Sequence, residues 1–130
     1  MLDSKKDIAD DAAYERLVDR MSTTDASERE RILQVLKMAR ELFIEHFADR
    51  IEAVVVDYRS YSRTERRLPL LVYTPWESPQ RYIALRKELG DKVLAPVRER
   101  TRLSIPVELL RLDQDPAPTR GIDLLYRRAD

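Results

Sequence analysis

The amino-acid sequence predicts an α+β fold, a small mixed sheet of three or four strands packed with two to three helices. Three observations lead there. A long stretch, residues 27–48, repeats its apolar residues at helical spacing. Two short runs rich in valine and leucine, residues 51–57 and 68–74, are separated by a polar turn. A second helical stretch then leads to a third strand-like run at residues 103–110. A hairpin followed by a helical crossover gives one antiparallel and one parallel pairing, which makes the sheet mixed.

Residues 4–20 carry a thin stripe of Ile8, Ala12, Tyr14, Leu17 and Val18, which predicts a peripheral N-terminal helix. The Ser, Thr and Asp cluster that follows Met21 ends it, because such side chains compete for backbone hydrogen bonds. In residues 27–48, Ile32, Val35, Leu36, Ala39, Leu42, Phe43 and Phe47 fall on one face, and Ser27 with Glu30 has the spacing of a capping box. Ala53-Val54-Val55-Val56 reads as a central strand covered on both sides. In the second strand Pro69 cannot donate to a ladder, so it belongs at the strand's start or on an edge. Ser78-Pro79 caps and opens the next helix, and Gly90 and Pro96 predict an end near Gly90 or a kink before Pro96. The expected organisation is a single α+β domain over residues 1–113, with 1–22 peripheral, and a linker and tail over 114–130. Residues 121–126 of that tail read as a short strand, a helix turn or a segment across a partner, and docking on its own domain or on a second copy is open.

The chain has 130 residues, 24 basic and 24 acidic side chains, one histidine and no cysteine. Without cysteine there is no disulfide framework, thiolate metal site or thiol nucleophile. No apolar run approaches the length of a membrane span, and residues 1–6 lack the apolar core of a secretory signal, so the expected setting is cytoplasmic. Balanced charge argues against general affinity for nucleic acid, though not against a local patch. Two glycines in the whole chain leave little for a backbone phosphate cradle, and no Gly-x-Ser-x-Gly motif is present. His46, late in the long helix and lacking a nucleophile partner, reads as structural.

The element order over residues 30–113, with the Leu70-Leu71-Val72 strand, resembles the minimal nucleotidyltransferase core. That family carries Gly-Ser after its first strand, Asp-x-Asp on its second and a third carboxylate on a later strand. The resemblance sets Asp57 and Tyr58 at the Gly-Ser positions, Arg67 and Pro69 at the two metal-holding aspartates, and Glu108 at the third acid. Magnesium takes hard oxygen ligands, and an arginine and a proline supply none. The resemblance therefore implies a degenerate member of the family, a pseudoenzyme with no catalytic residue, metal site or cofactor.

The most distinctive local feature is the turn at 58–67, which holds four arginines and two tyrosines. Guanidinium forks bind phosphate and carboxylate, and aromatic faces stack bases or anchor protein interfaces. The structural alternative is a solvated hairpin whose arginines pair with acids on the first helix, a segment with excess negative charge. Trp76 reads either as a cap on the core or as an exposed anchor. Asp57, Glu108 and Asp113 could gather at strand ends, where paired carboxylates do acid–base or metal work. Glu52 lies an odd number of residues from Asp57, so a regular strand puts it on the other face.

Together these features predict a non-catalytic regulatory or adaptor protein acting through protein contacts, as a homo-oligomer, with Arg59, Tyr61, Arg63, Arg66, Arg67 and Trp76 as contact residues. The alternative is RNA or nucleotide binding by the same turn. An active nucleotidyltransferase is the least favoured reading.

Overall fold

The computed structural model describes residues 11–21 and 25–128. Of the expected N-terminal helix over 4–20, residues 4–10 lie outside the described residues, and the described part is α1, Asp11–Asp19. Its buried residues are Tyr14, Leu17 and Val18. Helix α2 spans Ala26–Phe47. Asp25, rather than the expected Ser27, caps it: the Asp25 carboxylate accepts from the backbone N–H of Ser27 at 2.9 Å. An aspartate there satisfies an unpaired N–H and also complements the positive end of the helix, which a serine hydroxyl does less well. Ile32, Val35, Leu36, Ala39, Phe43 and Phe47 are buried, and Leu42 borders the core.

The sheet runs in the order β3-β2-β1-β4, with β1 Ala53–Val56, β2 Leu70–Thr74, β3 Val107–Arg111 and β4 Leu124–Arg127. Strand β1 is antiparallel to both β2 and β4, and β2 is parallel to β3. The sheet is mixed, as the hairpin and crossover require. Val54 pairs with Val72 and Val56 with Leu70, and this face joins Leu109 and the helices in one core. Ala53 and Val55 point to the opposite side and are also buried, so β1 is covered on both faces. Pro69 sits one residue before β2, where its carbonyl accepts from Asp57 and no donor is missed.

In two segments the structure settles what the sequence left open. The α-helix that opens at Pro79 ends at Leu89, beside Gly90 as expected, but the chain stays helical beyond it. Helix α3, Pro79–Leu89, passes through a π-helical turn, Gly90–Leu94, into α4, Ala95–Thr101. In an ordinary α-helix the Pro96 ring would strike the carbonyl four residues back. The wider turn, closed by the Ala95 N–H on the Gly90 carbonyl, gives the ring room. The second is the tail, for which a short strand was one of the readings. Residues 124–127 form a strand of the same sheet, with Val56 N–H bonding Asp123 O and Arg128 N–H bonding Glu52 O, both at 2.8 Å. The tail docks on its own domain. A register shift between Val54 and Val55 lets adjacent Leu125 and Tyr126 both bury, and the Tyr126 hydroxyl donates to Ala48 O at 3.0 Å.

Candidate functional site

The 58–67 turn is built from two parts. A short 3-10 helix, Tyr58–Ser60, leaves β1, and a hairpin follows in which Ser62 and Arg67 exchange backbone hydrogen bonds of 2.9 and 3.1 Å. The hairpin closes through Arg66 in the left-handed region (φ 54°), while the Ser62 hydroxyl accepts from the Glu65 N–H. Its base is laced to the loop after α4: Ser104 N–H donates to Arg66 O and Leu68 N–H to Ser104 O, each at 2.8 Å. These contacts set the turn beside the end of α4, and the Tyr61 side chain ties it to the start of α2.

The tyrosines of the turn are engaged. Tyr61 donates its hydroxyl to the carboxylate of Glu28, a side chain only 10% exposed. Burial, then this hydrogen bond to a carboxylate, pushes the Tyr61 phenol well above its ordinary range. Tyr58 packs against the core, with the Arg59 guanidinium 5.7 Å from its ring centre. Among the arginines, Arg63 lies 3.6 Å from Glu28 and 3.8 Å from Asp25, and Arg67 lies 3.3 Å from Glu65. These acids belong to the start of α2 and to the hairpin, not to α1, where the solvated-loop reading had placed the partners.

Between the hairpin and α2 lies a cleft of about 290 Å³ lined by Asp25, Ser27, Glu28, Arg31, Tyr61, Arg63, Arg66 and Leu103. Arg66 also borders a shallow groove shared with Arg98, Glu99 and Arg102 of the α4 end. Arg31, Arg66, Arg98 and Arg102 have no carboxylate in ion-pair contact among the described residues. Arg31, Arg98 and Arg102 were not among the residues that the sequence singled out, because nothing local links one helix's arginine to another's. The available signal is the four-residue spacing of Arg98 and Arg102, which puts both on one face of a helix.

Trp76 belongs elsewhere. It follows β2 at the end opposite Arg67, so the expected contact residues form two separate groups. Its ring lies 5.2 Å from that of Tyr82 and under the Arg111 guanidinium at 4.3 Å, with Arg111 itself held by Asp113. Trp76 is 36% exposed, so it both covers the sheet end and shows an edge. The hydrogen bond from Arg111 holds the Asp113 carboxyl below its ordinary range. Nearby, Arg50 grips both oxygens of Glu88 at 2.8 and 2.9 Å and lies over the Phe47 ring.

The three acids do not gather. Asp57 adjoins Pro69 at one end of the sheet, and Asp113 lies beyond the other. Glu108 pairs with Leu71, which puts it about 12 Å from Asp57 and about 13 Å along the ladder from Arg67 at ordinary strand spacings. Among the described residues no three of His, Asp or Glu stand together as a metal site, and no helix is long and apolar enough to cross a membrane. His46 packs edge-on against Phe47 beside Glu45. No known family, curated protein or solved structure matches this chain.

Proposed function

We propose that this chain is a non-catalytic binding module that acts through protein contacts, and that the cleft between the 58–67 turn and α2 takes an acidic segment of its partner. One observation carries the reading. Arg31 and Arg66 face the cleft without carboxylate partners among the described residues, beside an Arg63 held only loosely by Asp25 and Glu28. A charge-assisted hydrogen bond contributes about 1.5–3 kcal/mol, and a guanidinium can make two to one carboxylate. The engaged tyrosines favour a protein over single-stranded RNA, since neither Tyr58 nor Tyr61 offers a free face and hydroxyl for stacking and readout. The placement of Arg67 and Pro69 at the positions of two aspartates in the nucleotidyltransferase core, which this chain resembles, supports binding without turnover.

A cytoplasmic homo-oligomer belongs to the same proposal. The lack of cysteine suits any redox setting, and both outer strands, β3 and β4, leave an edge for pairing. Sedimentation of the chain at micromolar concentration tests the association; a monomer throughout removes that part.

The cleft is tested by fluorescence anisotropy with labelled octaglutamate and a labelled single-stranded RNA. The expected result is octaglutamate binding that weakens with salt, falls at least tenfold in the Arg31→Ala/Arg66→Ala double variant, and exceeds RNA binding. Stronger binding of the RNA, lost in the same variant, overturns the proposal in favour of nucleic acid. Failure of octaglutamate to bind at low salt overturns it outright.

A further inference from the structure

We infer that the groove adjoining the cleft, formed by Arg66, Arg98 and Arg102, receives a phosphoryl group carried on a side chain of the partner protein; this rests on the reading of the cleft as a site for an acidic protein segment. The groove's lining holds three arginines and one glutamate, so two positive charges stand uncompensated. A phosphorylated serine or threonine carries close to two negative charges near neutral pH and presents three acceptor oxygens to guanidinium forks. The cleft differs. There Asp25 and Glu28 offset two of three arginines, which matches a single carboxylate. Because Arg66 borders both, a phosphorylated residue and an acidic neighbour can be read together.

Backbone geometry supplies an independent reason. Arg66 and Arg102, at φ 54° and 64°, are the non-glycine residues with positive φ among the described residues, and both line this groove. Arg102 ends α4 in the left-handed conformation, its N–H on the Arg98 carbonyl, at a position where glycine is the usual occupant. Strained positions cluster at ligand clamps, where the side chain repays what the backbone loses. Both backbones are also fixed: Ser104 N–H holds Arg66 O, and Arg98 O holds Arg102 N–H, so the guanidinium roots are set before a ligand arrives. A phosphoryl group on a protein fits better than a nucleic-acid backbone. Glu99 on one side and Asp25 with Glu28 on the other would repel the next phosphates of a running strand.

The test measures anisotropy of two labelled peptides, a phosphoserine flanked by glutamates and the same peptide with serine, against the full chain. The expected result is at least tenfold tighter binding of the phosphopeptide. Arg102→Gly and Arg98→Ala should each remove most of that advantage while binding the serine peptide within twofold of the unaltered protein. Arg102→Gly relieves the strained backbone and Arg98 is exposed, so neither change threatens folding. Equal binding of the two peptides overturns the inference and leaves the cleft reading standing. Full retention of the advantage in both variants overturns it as well. Inorganic phosphate that competes as well as the phosphopeptide, mole for mole, overturns it in favour of a free-anion site. Failure of both peptides to bind removes the cleft reading itself.

Discussion

Gly90→Ala should stabilise the protein, and the reason tests what creates the π turn. Gly90 has φ −59° and ψ −46°, ordinary right-handed values that alanine prefers, and a Cβ built there meets nothing within 4 Å. Its N–H is already satisfied by the carbonyls of Arg86 and Lys87. Glycine in a helix interior costs roughly 0.5–1 kcal/mol relative to alanine, mostly through the greater freedom of the unfolded chain. Unfolding entropy near 2.1 cal/mol/K per residue gives about 0.27 kcal/mol/K for 130 residues. The substitution should therefore raise Tm by about 2–4 °C in a calorimetric or circular-dichroism melt. A fall in Tm would refute the reasoning. It would mean that Gly90, rather than the ring of Pro96, shapes the wide turn and needs its missing side chain.

Four further outcomes are expected. Arg102→Gly should raise stability by about 1 kcal/mol in urea unfolding, because glycine adopts φ 64° without the clash that an L side chain meets. Tyr61→Phe should lower it by about 1–3 kcal/mol in the same assay, since the nearly buried Glu28 carboxylate loses its hydroxyl donor and gains nothing. Stability should fall above about pH 10: burial raises the phenols of Tyr61, Tyr73, Tyr82 and Tyr126, so the native state keeps protons that the unfolded chain releases. At the other end, Arg50 depresses the Glu88 carboxyl and Arg111 that of Asp113. Their stabilisation is present above pH 4.5 and 3.8 and is lost as pH drops below those values, readable as Tm against pH.

Residues whose structural cause is local were legible from the sequence. Helix α2 is written in the spacing of Ile32, Val35, Leu36, Ala39, Phe43 and Phe47, and β1 in its unbroken valines. Where two causes compete at one place, local reading found the interruption but not its form. Pro96 forbids the ordinary helix yet sits beside Val93 and Val97, both buried, and the burial of those residues holds the helix on course while a π turn absorbs the ring. Strand β4 was one of several readings of residues 121–126, and local pattern could not choose it. Leu124, Leu125 and Tyr126 do not alternate, and only the register shift against Val54 and Val55 turns that run into a strand.

The arginine-lined end of the molecule belongs to a third kind, created by topology alone. Arg59, Arg63, Arg66 and Arg67 stand out because they crowd one turn, yet crowding is a poor guide to availability: Arg63 and Arg67 each find a carboxylate. Arg59 lies over the Tyr58 ring, and the other unpaired guanidiniums at this end come from α2, the hairpin tip and the end of α4. Trp76 is separated from them by the length of β2, because a strand carries its two flanking turns to opposite ends of a sheet. Charge balance in the whole chain says nothing about this partition. With 24 charges of each sign, unpaired arginines at one end require acids in excess elsewhere, and Asp115, Asp123 and Glu108 act on Tyr73, on the face of β2 opposite Val72. A zero net charge is thus compatible with a strongly basic site, provided that the fold keeps the two signs on different surfaces.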